Sequence, residues 1–301
     1  MIGLLALAAA AAAQPQTVLT INPKHRLVEG VASDGETIWV SSILDRQILA
    51  CKTSCRVMAT LPAPLHPFAI AWDQGRKRLW VAADCPPGIP AIKTCERGAL
   101  IALDTRGRVQ TRIAPFVGTF HPGDVSATDG HVFVSDSQNG MVFRLLPTGR
   151  AIMAVNLPGD GKSAQGTALT PDGNDLVIAD YSKGIGKTAI DTFKAVPLPR
   201  QDGKPLRGID GLTRCGDVYY GIYNGTEPAF LVSFTLTANG INVDRPLGTT
   251  ILPDPTQIAY DGKRLLIVAD SGWATLDKPD FKRTAGTPII AVPLGEDCKP
   301  Q

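Results

Sequence analysis

Acidic and amide side chains stand where several apolar segments of this chain begin and end. Glu29, Gln165 and Asp210 each stand at the start of such a segment. Others close an apolar segment: Asp84, Asp136, Asp180, Asn224 and Asp270. Carboxylate and amide oxygens suit hard cations and hydrogen-bonding ligands. These residues could therefore form a ligand or cation site if the fold brings them together.

The same residues belong to a pattern that recurs along the chain. Its clearest copy, residues 121–146, predicts a strand, a tight turn at Asp129-Gly130, and two more strands. Similar segments occupy residues 28–42, 66–85, 164–184, 209–225 and 254–273. One register through Glu29, Phe68, Gly123, Gln165, Asp210 and Thr256 gives intervals of 39, 55, 42, 45 and 46 residues. A strand-rich repeat of about 40–50 residues is typical of propeller blades.

The repeat predicts an all-β fold, a six-bladed β-propeller. A lone strand at residues 17–21 precedes the first copy, and the last copy lacks an outer strand. We expect the N-terminal strand to close the last blade, because closure removes an exposed sheet edge. The copies follow one another without a linker, so residues 14–301 are predicted to form a single domain. Residues 183–198 are interpreted as an insertion in the fourth blade, with a helical turn.

Composition excludes several classes of function. Of the 301 residues, 44% are hydrophobic and 19% are charged, which supports a large core and argues against disorder. The net charge is +2 and basic residues are not clustered. Binding to nucleic acid or to an anionic membrane therefore has no electrostatic support. We expect a monomer without a membrane span that binds a small molecule.

The N-terminus predicts export. Residues 1–13 form an apolar run that ends in small residues, as in a secretory signal peptide cleaved near Ala13. The alternative is a buried N-terminal helix. The run is too short to cross a bilayer. We therefore expect a periplasmic or secreted protein.

The six cysteines are an even number, as expected for disulfides in an exported protein. Two pairs bracket short loops, and the third pair falls on one face of neighbouring predicted blades. The spacing lacks the paired C-x-x-C pattern of a zinc site. The predicted bridges are Cys51–Cys55, Cys85–Cys95 and Cys215–Cys298.

The antiparallel order of strands in a blade indicates which residues share a face. The starts of first strands and the ends of second strands lie on the same side of the sheet. Glu29, Gln165 and Asp210 should therefore share a face with the strand-end residues named above. Carboxylates that converge at one end of a central channel favour a ligand or cation site there. The alternative is that aspartates only end strands and cap turns.

Histidines and nucleophile motifs offer little chemistry. The four histidines are scattered, which argues against a histidine metal cluster. No G-x-S-x-G nucleophile motif is present. His66 and His121 each precede a proline at the start of a copy, where we expect a structural role.

Several segments together resemble the gluconolactonase/regucalcin-like (senescence-marker-protein) six-bladed propellers, in particular uncharacterised bacterial members. They are Glu29-Gly30, Gln165-Gly166, the segment 209–212, the segment 223–228 and the segment 269–273. The resemblance covers nearly the whole mature chain. It implies a central divalent cation, usually calcium, held by a glutamate of the first blade, asparagines of later blades and an aspartate.

Position by position, the resemblance makes Glu29 and Asp210 metal ligands and Asp210 the general base as well. Gln165 stands at one asparagine position. The other asparagine position falls at Gly123, with Asp124 adjacent. The implied chemistry is hydrolysis of a lactone or ester, in which a cation polarises the carbonyl and Asp210 takes a proton from water. The alternative is a non-catalytic propeller that binds a small ligand or a protein partner through the same face.

Overall fold

Six four-stranded antiparallel sheets follow one another along the chain in the computed structural model. The structure describes residues 14–294 and Cys298, except residues 115–117, 129, 147, 148, 150, 157–162, 193, 248, 249, 277, 279 and 280. Of residues 151–156 it describes only the backbone. The predicted signal peptide at residues 1–13 and Asp129 of the predicted Asp129-Gly130 turn lie outside the described residues.

Each of the first five blades uses four consecutive strands. Blade 1 holds β2 (Val28–Ser33), β3 (Ile38–Ser42), β4 (Gln47–Cys51) and β5 (Cys55–Thr60). Blade 2 holds β6 (His66–Asp73), β7 (Arg78–Asp84), β8 (Ala99–Leu103) and β9 (Val109–Ile113). Blade 3 holds β10 (Pro122–Thr128), β11 (His131–Asp136), β12 (Met141–Leu145) and β13 (Ala151–Asn156). Blade 4 holds β14 (Ala164–Leu169), β15 (Asp175–Asp180), β16 (Gly184–Ala189) and β17 (Val196–Pro197). Blade 5 holds β18 (Ile209–Cys215), β19 (Val218–Tyr223), β20 (Phe230–Leu236) and β21 (Ile241–Asp244).

The sixth blade joins the two ends of the chain. It holds β22 (Ile258–Tyr260), β23 (Arg264–Val268), β24 (Thr287–Pro293) and, outermost, β1 (Gln16–Ile21). β1 runs antiparallel to β24, with Gln16 opposite Ala291 and Ile21 opposite Thr287. The inner strands contact one another in the closed order β2, β6, β10, β14, β18, β22 and β2 again. The prediction of a six-bladed propeller closed by its N-terminal strand is confirmed.

The predicted insertion at residues 183–198 is wrong. This segment supplies β16 and β17, the third and fourth strands of blade 4. β16 has few apolar side chains, because it contains two glycines and the Lys187-Thr188 pair. Its strand structure therefore depends on pairing with β15. A 3-10 turn, Trp273–Thr275, lies in blade 6. Among the described residues, no helix is long and apolar enough to cross a membrane.

Serine hydroxyls of second strands donate hydrogen bonds to the inner strands of the next blade. Ser41 donates to the Phe68 carbonyl at 2.6 Å and accepts from the Gly30 amide at 2.7 Å. Ser135 makes the equivalent bond from blade 3 to the Gln165 carbonyl of blade 4, at 2.5 Å. These bonds satisfy backbone groups that the closing of the ring would otherwise leave without partners.

Two histidines at blade starts play a similar part. His66 donates through Nδ1 to the Ile43 carbonyl of blade 1, at 2.7 Å. His121 places Nδ1 3.2 Å from both carboxylate oxygens of Asp84 in blade 2. Both histidines are buried. Each therefore fixes the start of its blade against the blade before it.

All three predicted disulfides are present, which confirms this part of the prediction. Cα–Cα distances are 4.1 Å for Cys51–Cys55, 5.4 Å for Cys85–Cys95 and 5.3 Å for Cys215–Cys298. The third bridge ties the end of β18 in blade 5 to the segment after β24 in blade 6. It thus holds Cys298 beside the closing blade.

The disulfides should differ in their effect on stability because they close loops of different length. Cys215 and Cys298 are 83 residues apart, and Cys51 and Cys55 only 4. Replacing the first pair by serine should cost about 4–5 kcal/mol of unfolding free energy, and replacing the second about 2 kcal/mol. Denaturant unfolding without reductant measures both. Equal losses would contradict this dependence on loop length.

Candidate functional site

A register shift in the inner strands sets the positions of the candidate site residues. In blade 1, Val28 pairs with Ser42 and Val31 with Val40, so Glu29 and Gly30 face a single residue. Blades 4 and 5 repeat this arrangement at Gln165-Gly166 and Asp210-Gly211. Such bulges redirect a side chain out of the regular alternation of a strand. Three blades therefore present Glu29, Gln165 and Asp210 at equivalent steps around the channel.

The glycine after each of these residues is required by the neighbouring blade. A Cβ on Gly30 would lie 2.6 Å from the Phe68 carbonyl oxygen, and one on Gly166 would lie 2.3 Å from the Leu212 amide nitrogen. No side chain tolerates contacts this short. The candidate site residue therefore faces the channel, and the glycine after it allows the next inner strand to pack closely.

Glu29 and Asp210 lie at the same mouth of the channel and influence each other. Both are surrounded by protein, yet each keeps some accessible surface in the channel. Burial raises the pKa of Glu29 well above its usual value, and the charge of Asp210 raises it further. A hydrogen bond from Trp273 Nε1 to Glu29 Oε2, at 2.6 Å, lowers the pKa in part.

Asp210 is held by Asn224 from the end of the adjacent strand. Burial raises the pKa of Asp210 to about 6, the hydrogen bond from Asn224 opposes this rise, and the charge of Asp254 adds to it. Asn224 Nδ2 donates to Asp210 Oδ2 at 3.0 Å and to the Pro255 carbonyl at 2.8 Å. Asn224 Oδ1 is buried and has no partner among the described residues. This oxygen could accept a ligand's hydrogen bond or help to coordinate a cation.

Asp124 occupies the channel but faces a different partner. In blade 3 the glycine comes first, so Gly123 takes the place of Glu29 and Asp124 follows it. Gln257 Nε2 donates to the two Asp124 oxygens at 3.2 and 3.1 Å. Blades 3 and 6 stand opposite each other in the ring, so this bond crosses the channel. Burial, reinforced by the charge of Asp210, raises the pKa of Asp124 to about 7.

Two residues that sequence reasoning missed complete the mouth. Asp254, just before β22, accepts from Ser271 Oγ at 2.9 Å and from the Gly272 amide at 2.8 Å. These bonds fix the 3-10 turn that carries Trp273 to Glu29. Asp254 and Pro255 open the repeat copy at residues 254–273 and Trp273 ends it, so both positions carried a signal in the sequence.

The strand-end residues divide between turn caps and the site. Asp136 accepts from the amides of Gln138 and Asn139 at 3.2 and 3.0 Å, and Asp180 accepts from the amides after it. Asp270 forms an ion pair with Arg283. Among the strand-end residues predicted for this face, Asn224 is the one that hydrogen-bonds to a candidate metal ligand, Asp210. The others follow the turn-capping or structural alternative.

The oxygen donors at this mouth fit a hard cation, but the site offers only a small number of carboxylates. Glu29 and Asp210 supply carboxylates, Gln165 supplies an amide, and such sets bind calcium. Within the described ranges, no three carboxylates bring oxygens within 4.8 Å of one another. The one acid–cysteine group that meets this spacing contains Asp84 with Cys85 and Cys95, which are disulfide-bonded. A cation here would therefore use two carboxylates and amide oxygens.

Solved structures of other proteins share this architecture. A gluconolactonase from Xanthomonas campestris matches with a TM-score of 0.61 at 18% identity, over 94% of this chain and 90% of that chain. A PQQ-bound aldose sugar dehydrogenase from Streptomyces coelicolor matches with a TM-score of 0.64 at 13% identity, over 94% and 99%. A luciferin-regenerating enzyme matches with a TM-score of 0.64 at 13% identity, over 96% and 97%.

These likenesses establish the fold alone. At 13–18% identity they do not transfer an activity. No protein-family model and no curated protein matches the chain. The resemblance to gluconolactonase-type propellers thus holds for the architecture, and the chemistry must be argued from the channel mouth itself.

The raised pKa of Asp124 predicts a pH-dependent stability in the absence of divalent cations. A carboxyl group with a higher pKa in the folded state binds more protons there, so unfolding free energy falls as pH rises from about 4 to about 7, by up to about 1.4 kcal/mol per pH unit. Asp124→Asn should remove this loss. Its melting temperature in chelator, relative to wild type, should increase from pH 5 to pH 8.

The control for this experiment is Asp172→Asn. Hydrogen bonds from Thr170 and Asn174 lower the pKa of Asp172 to about 2, so its contribution is lost only in more acidic solution. The difference between Asp172→Asn and wild type should stay constant from pH 5 to pH 8. A constant difference for Asp124→Asn as well would contradict the electrostatic account of the channel.

Proposed function

We propose that this protein is a divalent-cation-dependent hydrolase of a lactone or related ester, with its site at the channel mouth of Glu29 and Asp210. The observation that carries the proposal is the pair of enclosed carboxylates at one mouth, with raised pKa values and like charges. Two carboxylates so placed resist ionising together. A bound cation removes that conflict, so the pair favours one.

The residues that would hold the cation are Glu29, Gln165 and Asp210, and the preferred ion is calcium because all the donors are hard oxygens. When bound, such a cation polarises a carbonyl and lowers the pKa of water. Gln165 keeps the amide oxygen of the asparagine that it replaces, at the end of a side chain one methylene longer.

Asp210 is the proposed general base. Without a cation, burial raises its pKa to about 6, so its carboxylate is more basic than that of an ordinary aspartate and better able to accept a proton from water. Asn224 occupies Oδ2, so Oδ1 is the oxygen that would take the proton. Burial and the charge of Asp210 also raise the pKa of the Tyr181 hydroxyl, which remains protonated beside the site.

We propose a cell location on the basis of the disulfides and the N-terminal sequence. Three disulfides are typical of oxidising compartments. With the predicted signal peptide at residues 1–13, they support a periplasmic or secreted enzyme. We propose that it is a monomer and that it acts on a small molecule.

A second function is favoured by Trp273. Its indole donates to Glu29 Oε2 and thereby uses one of the oxygens that a cation would need. The alternative is therefore a non-catalytic propeller that binds a small ligand or a protein partner through the same mouth. In that case Asn224 Oδ1 and Glu29 would bind the ligand directly.

Hydrolysis of a panel of sugar lactones and esters distinguishes the two functions. Asp210→Asn should lower kcat/KM by at least about 100-fold, because the base is lost. In wild type with calcium, kcat/KM should rise with pH and level off below about pH 6, because a bound cation lowers the pKa of Asp210 from its cation-free value of about 6. Asp136→Asn is the matched control, since that residue lies on the same face but caps its own turn. No turnover with any member of the panel, with or without calcium, would favour the non-catalytic alternative.

Calcium affinity tests the ligand set separately from catalysis. Glu29→Gln should weaken binding at least about tenfold, equivalent to 1.4 kcal/mol, because a charged ligand is lost. Gln165→Asn should bind calcium as tightly as wild type or more tightly. Isothermal titration calorimetry measures both, with Asp136→Asn as the reference. Unchanged affinity in Glu29→Gln would exclude this residue as a ligand.

A further inference from the structure

A large cavity opens on the face opposite Glu29 and Asp210. This cavity, called the lower funnel here, has a volume of about 740 Å³ and is lined by residues of all six blades. Its walls follow the inner strands from Asp124 at the floor to turns such as Asp34-Gly35 and Asp261-Gly262 at the rim. Its size lies in the range of small-molecule sites, which is about 300–1,000 Å³.

Small side chains at one equivalent position of every blade keep the lower funnel open. Each of these residues pairs with a second-strand partner that is often large, such as Trp39 opposite Ala32 and Trp80 opposite Ala71. The large side chains of the second strands therefore pack between the blades, and the small side chains of the inner strands lie near the axis. The six positions are Ala32, Ala71, Ser126, Ala168, Thr213 and Ala259.

The floor of the lower funnel is a buried carboxylate with capacity for another donor. Asp124 is 5% exposed and accepts from the Val125 amide at 2.5 Å and from one Gln257 nitrogen shared between both oxygens. A carboxylate offers about four acceptor sites. The Asp124–Gln257 bond also crosses the axis. It therefore separates the funnel from the channel mouth of Glu29 and Asp210, called the upper mouth here.

The rim adds aromatic side chains to this floor. Trp72 lines the funnel and stacks on Trp39, with ring centroids 4.7 Å apart, and Tyr260 lines it from blade 6. Both Trp72 and Tyr260 are partly accessible. Aromatic faces attract cations, and a buried carboxylate favours a positively charged donor. Together they favour an organic ammonium over a neutral or anionic ligand.

We propose that the lower funnel is a second binding site that takes a slender organic amine, with its ammonium group on Asp124 and its body between the six small side chains. The site is independent of the proposed hydrolase function. It lies across the Asp124–Gln257 bond from Glu29, Gln165 and Asp210.

Three probes of one shape test the charge preference. Benzylamine, benzyl alcohol and benzoate are titrated into the full chain, with binding followed by calorimetry and by saturation-transfer NMR. Benzylamine should bind, benzyl alcohol should bind about tenfold more weakly, and benzoate should not bind. Failure of benzylamine to bind saturably at millimolar concentration, or equal binding of benzoate, would overturn the proposal.

Variants on the two faces locate the amine. Ala71→Leu and Ala259→Leu place bulk in the lower funnel and should each weaken benzylamine binding at least about tenfold. Asp124→Asn should abolish the preference for the amine over the alcohol. Glu29→Gln, at the other mouth, should retain benzylamine binding, because Glu29 does not line the lower funnel.

The variants decide the proposal even if one of them is unstable. Near-ultraviolet circular dichroism and melting temperature verify each fold, and the two leucine variants remain decisive if Asp124→Asn does not fold. Benzylamine binding that is lost in Glu29→Gln and kept in both leucine variants would place the amine at the upper mouth and reject the lower funnel.

Discussion

The close approach of six inner strands around one axis is the constraint on which the site depends. The backbone of one blade comes so near the next that Gly30 and Gly166 leave no space for a Cβ. The first five inner strands meet this constraint with a local shift of register, and in blades 1, 4 and 5 the shift leaves Glu29, Gln165 or Asp210 facing the channel. Ring closure therefore creates both the narrow axis and the positions from which side chains can reach it.

Acidic residues at these positions make the channel electrostatically costly. Glu29, Asp124 and Asp210 are all enclosed, and burial raises the pKa of each. The chain offsets part of this cost with neutral donors: the indole of Trp273, the amide of Gln257 and the amide of Asn224. These donors stabilise single carboxylates without neutralising the group. The remaining negative potential is what a cation at the upper mouth, or an ammonium in the lower funnel, would compensate.

The repeat predicted the architecture well because blade spacing, strand length and turn residues are local properties. The closing strand and the Cys215–Cys298 bridge followed from the strand directions implied by that repeat. Residues 183–198 were misjudged because β16 is rich in glycine and its third-strand role depends on pairing with β15.

Within the candidate site, the sequence predicted which residues share a face. It could not predict the contact of Trp273 with Glu29 or of Gln257 with Asp124, which join residues far apart in the chain. The turn caps at Asp136 and Asp180 are local, yet the same residue type also serves in ligand sites, so sequence alone left both possibilities open.

Anomalous diffraction from crystals grown with calcium, or with a lanthanide in its place, tests the central claim most directly. The account predicts one anomalous peak at the upper mouth, about 2.3–2.6 Å from oxygens of Glu29, Gln165 and Asp210. In such a structure the indole of Trp273 should no longer hold Glu29 Oε2. Absence of a peak at millimolar calcium, with the Trp273–Glu29 hydrogen bond intact, would contradict the cation site and the hydrolytic mechanism built on it.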